Sequence, residues 1–106
     1  MSTEEIGSGS APQGSFQRLI EEIYFDRDKD RGTSGTLLWF VEEVGELVRA
    51  IRRRERENHE EELGDVYAWL ATLASLHGLD LEAIGRKKYG AGCPRCKATP
   101  CACPHP

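Results

Sequence analysis

Apolar residues along this chain recur at intervals of three and four, the spacing that keeps side chains on one face of an α-helix. Phe16, Leu19, Ile20, Ile23 and Tyr24 form the first such face behind Ser15, a residue suited to an N-cap, and predict a helix from Ser15 to about Asp26. A second stripe of Leu37, Phe40, Val41, Val44, Leu47, Val48 and Ile51 predicts a helix from about Thr36 to Arg54. The third stripe is Val66, Trp69, Leu70, Leu73 and Leu76. Asn58 with Glu61 has the spacing of a capping box, so this helix should run from Asn58 to His77 and stop at Gly78. A last, short helix is expected from Asp80 to about Tyr89, with Leu81 and Ile84 turned inward. Its final turn holds Arg86, Lys87 and Lys88, where cations suit the helix dipole. The pattern is that of an all-α chain, a short bundle of about four helices.

Outside those stripes the composition changes. Residues 1–14 are rich in Ser, Gly, Pro and Gln and read as a flexible leader, 15–90 as the helical domain, and 91–106 as a cysteine-rich tail. Asp26 to Gly32 alternates in charge and resembles a calcium loop. Its glycine falls one place late, however, and Leu37 stands where the closing glutamate belongs, so a solvated loop is expected instead.

At 106 residues and 39% hydrophobic, the chain can bury one modest core and should need a partner to cover its apolar faces. A net charge of -4 argues against a general nucleic-acid binder, whose footprint would be basic. No apolar run approaches the roughly 18 residues of a membrane span, and no basic and apolar signal region opens the sequence, so a cytoplasmic protein is expected. Thiols stay reduced there. The four cysteines, all between Cys93 and Cys103, therefore read as a metal site rather than as disulfides.

The acidic residues are patterned more sharply than the net charge suggests. Glu42-Glu43-Val44-Gly45-Glu46-Leu47 is nearly repeated by Glu61-Glu62-Leu63-Gly64-Asp65-Val66, and each segment carries carboxylates three apart on one helical side. At ~100° per residue, Glu43 falls at the edge of its apolar stripe with Glu46 close by, and Glu62 falls on its stripe with Asp65 at the margin. Glu42 turns toward Arg49 and Arg53; Glu60 and Glu61 face outward. Carboxylates gathered on apolar faces repel one another by several kcal/mol unless a cation lies among them, and a hard divalent ion with oxygen ligands is the natural candidate. Gly45 and Gly64 each cost a helix ~1 kcal/mol relative to alanine. Their matching places suggest that another helix or a ligand approaches closely there.

Glu42-Glu43-Val44-Gly45-Glu46, fifteen intervening residues and Glu62-Leu63-Gly64-Asp65 together resemble the motif E-E-x-x-E, spacer, E-x-x-D of the MazG family of nucleoside triphosphate pyrophosphohydrolases. The resemblance covers about residues 16 to 90. It implies an all-α fold, an active site between helices completed by dimerisation or a higher homo-oligomer, and hydrolysis of a nucleoside triphosphate to its monophosphate and pyrophosphate. It makes Glu43, Glu46, Glu62 and Asp65 ligands of Mg2+ or Mn2+, with Glu42 orienting a ligand or water. For the triphosphate, Lys87 and Lys88 are the first cations to consider by position, followed by Arg86, Lys29 and Arg31. Trp39, on the carboxylate side of its helix, could stack on a base. Trp69, His59 and His77 read as structural. A related activity, phosphoribosyl-ATP pyrophosphohydrolysis, and a non-catalytic helical adaptor remain alternatives at this point.

Cys93, Cys96, Cys101 and Cys103 spell C-x2-C-x4-C-x-C, the first half of which resembles a zinc knuckle, so Zn2+ on four sulfurs is expected. Because the loops are short, His105 in place of one sulfur, a site shared between subunits, or a redox-active cluster are the alternatives.

Overall fold

Helix α1 spans Phe16–Arg52, α2 Arg56–Leu76 and α3 Leu81–Tyr89 in a computed structural model that describes residues 11–104. Residues 1–10 of the expected leader, and His105, lie outside the described residues. Among the described residues every regular element is a helix. Ser15 caps α1 as expected, its hydroxyl accepting the Arg18 N–H at 3.0 Å. Asp80 caps α3 in the same way, through the Ala83 N–H at 3.2 Å. Gly78, with φ at 67°, turns the chain after α2.

α1 is two helical arms joined at Gly32, whose φ of 80° and ψ of 177° belong to a region open essentially to glycine alone. Counting the arms separately gives the four expected helical rods. The first rod nevertheless runs past Asp26 to the kink, where a solvated loop was expected. Asp28 is only 4% exposed, and it accepts hydrogen bonds from Arg31 at 2.9 Å and from Thr72 of α2 at 2.9 Å. Those two partners, rather than water, satisfy its charge and keep the segment helical.

The start of α2 also differs from expectation. Arg54 takes a left-handed conformation (φ 58°) and the Glu55 N–H bonds to Ala50 O, so the chain has already reversed by residue 55. Glu55 is the N-cap, and Asn58 lies inside the first turn with its amide donating to Glu55 Oε1 at 2.9 Å. His59 donates through Nε2 to Ala50 O at 2.9 Å, tying the two helices at the turn.

α1 and α2 pack along one another, whereas α3 touches them lightly. The buried apolar side chains are Ala11, Ile20, Ala50, Ala71, Ala74 and Leu76, mostly small, which allows close approach of the helices. Gln17 joins three elements: it donates to Ser75 Oγ and Leu79 O, and accepts from the Leu81 N–H, each at 2.8 Å. Much of the second stripe remains uncovered, with Leu37, Val41, Val48 and Ile51 exposed. The radius of gyration is 16.1 Å, above the ~13 Å of a compact domain of about 100 residues. Gly45 and Gly64 do not mark a contact within the chain, since a Cβ at either would meet nothing within 4 Å. Within the described helices a Cβ would crowd a neighbour at Gly35, 2.7 Å from Cγ of Arg31, and beyond α3 at Gly90, against Arg86 O, and Gly92, against Thr99 Oγ1.

Candidate functional site

The second arm of α1 presents Glu43 and Glu46, one turn apart, and α2 brings Glu62 against them. Carboxylate oxygens of these three residues lie within 4.8 Å of one another. Burial pushes the Glu43 carboxyl up from 4.5 to about 7, aided by the charge of Glu46, by hydrogen bonding with Glu62 and by the charge of Asp65. Burial likewise raises Glu62, opposed by a hydrogen bond with Glu43 and reinforced by the charges of Glu46 and Asp65. One oxygen of each, Glu43 Oε1 and Glu62 Oε1, is buried without a hydrogen-bond partner. Polar atoms withdrawn from water and left unpaired are costly. Both belong to the clustered residues, and a divalent cation held there would offer such oxygens a partner while removing the repulsion.

Asp65 stands one turn beyond Glu62, exposed and outside the three-residue cluster, but it lines the same cleft as Glu43. Glu42 is exposed and makes no ion pair with Arg49 or Arg53 among the described residues.

The cleft beside the carboxylates has a volume of about 360 Å³, within the range of small-molecule sites. Its far wall comes from the first arm of α1 and from α2: Tyr24, Arg27, Asp28, Arg31, Trp69 and Thr72. Arg31 is fixed from three sides. It donates to Asp28 at 2.9 Å and to Thr36 Oγ1 at 3.0 Å, and its guanidinium lies 4.7 Å from the centre of the Trp69 ring. Such contacts orient an arginine fork without neutralising it entirely.

Trp39 does not line this cleft. It lies parallel to Trp69, with ring centroids 6.1 Å apart and planes 7° apart, while Trp69 faces the cavity. Lys87 and Lys88 also lie away from it; Lys88 borders a groove with Cys93, Cys101 and Cys103. His77 meets Thr33 Oγ1 at 3.2 Å, a structural contact across the kink.

Sequence reading misses Asp28 and Thr72 as cleft residues and ranks Arg31 behind Lys87, Lys88 and Arg86. The signal was present in the spacing of Gln17, Glu21, Tyr24, Asp28 and Arg31, which continues one helical face across the segment taken for a loop.

The four tail sulfurs form a second cluster, again within 4.8 Å of one another. Backbone N–H groups of Ala102 and Ala98 draw the Cys96 thiol down to about 6, whereas its sulfur neighbours, Cys101 first, push Cys103 up to about 11.

Residues 31–91 match the family model described as MazG nucleotide pyrophosphohydrolase domain. No curated protein matches the chain.

Proposed function

Because this chain belongs to the MazG nucleotide pyrophosphohydrolase family, we propose that it cleaves a nucleoside triphosphate to a nucleoside monophosphate and pyrophosphate with magnesium, or manganese, held by Glu43, Glu46, Glu62 and Asp65. The observation that carries this reading is the gathering of carboxylate oxygens of Glu43 and Glu46 from α1 and Glu62 from α2 within 4.8 Å, where Glu43 and Glu62 each also keep one buried oxygen without a partner. Magnesium takes oxygen ligands and keeps room for water and phosphate, and an open, all-carboxylate set suits it. Bound there, it supplies neutralisation of the triphosphate and a water of lowered pKa, the two main demands of phosphoryl hydrolysis.

The protein supplies position. Three carboxylates on two packed helices are held without loops, and Asp65, exposed at the cleft, extends the acidic surface toward substrate. The nucleoside portion enters the 360 Å³ cleft, where Tyr24 and Trp69 offer aromatic surface and Arg27 and Arg31 offer positive charge. The oriented guanidinium of Arg31 sets a fixed donor direction toward that space. A second copy of the chain covers the exposed apolar residues of α1, of which Leu38 is 74% and Val41 67% exposed. No helix of the described residues is long and apolar enough to cross a membrane. Free cysteines fit the reducing cytoplasm as the place of action.

The test is pyrophosphate release from a panel of nucleoside and deoxynucleoside triphosphates, with and without magnesium. Metal-dependent release that Glu62→Gln removes is expected. Release that is indifferent to both metal and variant would overturn the reading.

A further inference from the structure

The tail beyond α3 contains neither helix nor strand in residues 90–104, and none of its side chains belongs to the buried apolar core. Something other than hydrophobic burial must hold its shape. Among the described residues its four sulfurs gather within 4.8 Å of one another. Cys93 Sγ lies 3.8 Å from Cys103 Sγ, and Cys96 Sγ lies 4.0 Å from Cys101 Sγ. A tetrahedron with metal–sulfur bonds of ~2.3 Å has edges of about 3.8 Å, which is the separation these pairs already show.

We propose that Cys93, Cys96, Cys101 and Cys103 bind one zinc ion in a closed, four-sulfur tetrahedral site that fixes the tail behind α3. The site lies outside the matched family domain, which ends at residue 91, and it stands independently of the pyrophosphohydrolase reading.

The backbone is shaped for thiolates. The Ala102 N–H points at Cys96 Sγ and the Cys103 N–H at Cys101 Sγ, both at 3.3 Å, and such donors stabilise sulfur carrying negative charge. From Cys93 to Ala98, around the first two cysteines, the chain folds into a tight loop. The Lys97 N–H bonds to Cys93 O at 2.7 Å, the Cys93 N–H to Ala98 O at 3.1 Å, and Lys97 takes a left-handed φ of 64°. That loop turns Cys93 and Cys96 to the same side.

Charge points the same way. Four thiolates around a divalent ion leave a net charge of about -2, and Lys88 and Arg95 line the groove beside Cys93, Cys101 and Cys103. Zinc with four protein ligands has no open position, so its role here is to stabilise structure rather than to take part in hydrolysis. Of the divalent ions, zinc suits an all-thiolate tetrahedron, whereas magnesium suits the oxygen cluster on α1 and α2, so the two sites sort their metals by ligand chemistry.

The experiment is metal analysis of the full chain, purified under reducing conditions, offered zinc and then desalted. About one zinc per chain is expected. Cys96→Ser and Cys101→Ser should lose it, while Glu46→Gln should retain it in full. As a measurement that needs no variant, cobalt substituted into the unaltered protein should give the intense visible bands of a tetrahedral four-thiolate site. Failure to retain zinc, retention unchanged in both Cys96→Ser and Cys101→Ser, an octahedral cobalt spectrum, or a non-reducing mass showing two disulfides would each overturn the proposal.

Discussion

Thr72, in the last turns of α2, donates its hydroxyl hydrogen to Asp28 Oδ2 at 2.9 Å, while the other oxygen of the same carboxylate holds Arg31. Two helices and one cleft cation are thus joined through a single buried acid. Asp28→Ala should destabilise the protein by about 2–4 kcal/mol, because Arg31 loses its partner in a partly buried setting. Thr72→Val, which removes only the hydroxyl, should cost about 1–2 kcal/mol. Urea unfolding of both variants measures the difference. If Arg31 contacts substrate, Asp28→Asn should also raise KM more than it lowers kcat.

Glu43 links pH to both stability and metal. Its carboxyl is raised from 4.5 to about 7 in the fold, so the protonated form is the one the metal-free fold favours. That contribution is fully present below the unfolded value, declines as pH rises through the interval, and is gone above the folded value. Without metal, the melting temperature should therefore fall between pH 5 and pH 8, and Glu43→Gln should flatten the fall. Magnesium competes with the proton for the same oxygens. Its stabilising effect should be larger at pH 8 than at pH 5 and should be accompanied by proton release.

Glu46→Gln and Asp65→Asn separate the cluster from its margin. Removal of Glu46 takes a ligand oxygen from the three-residue group and should lower pyrophosphate release about 100-fold or more. Asp65→Asn is expected to weaken activity strongly while leaving more of the magnesium affinity, since Asp65 lies outside the tight group. Isothermal titration with magnesium alongside turnover measures the split. Glu61→Gln, on the exposed side, is the control expected to change neither.

Glycine substitutions should act in opposite directions. Gly32→Ala forces a side chain into a backbone region that disfavours it and should cost about 1–3 kcal/mol. At Gly45 and Gly64 a Cβ meets open space in the chain, so alanine should stabilise the subunit by up to ~1 kcal/mol through helix propensity. Thermal melts of the three variants check the signs.

The features visible in the sequence are those set by neighbours along it. Ser15 and Asp80 cap through N–H groups three residues on, Gly78 ends α2, and Glu43, Glu46 and Glu62 fall on the inward edges of their helices, as helical spacing requires. What escaped depends on distant partners. Asp28 reads as a solvated charge until Thr72, forty-four residues away, supplies its second hydrogen bond. The pairing of Trp39 with Trp69 is of the same kind: the wheel placed Trp39 near the carboxylates, but only the crossing of α1 and α2 decides which indole faces the cleft. Gly45 and Gly64 misled for a different reason, because a repeated letter was read as a contact that the chain alone does not make.

The bend at Gly32 divides labour along α1. Residues from Ile20 to Arg31 build the wall that a nucleoside would meet, and Glu43 and Glu46 stand on the other arm. A change of a few degrees at that joint would widen or narrow the gap between wall and carboxylates while leaving every side chain in both unaltered. Under the proposed function, selectivity among bases of different size would therefore drift through one pair of backbone torsions, with the carboxylate cluster left intact.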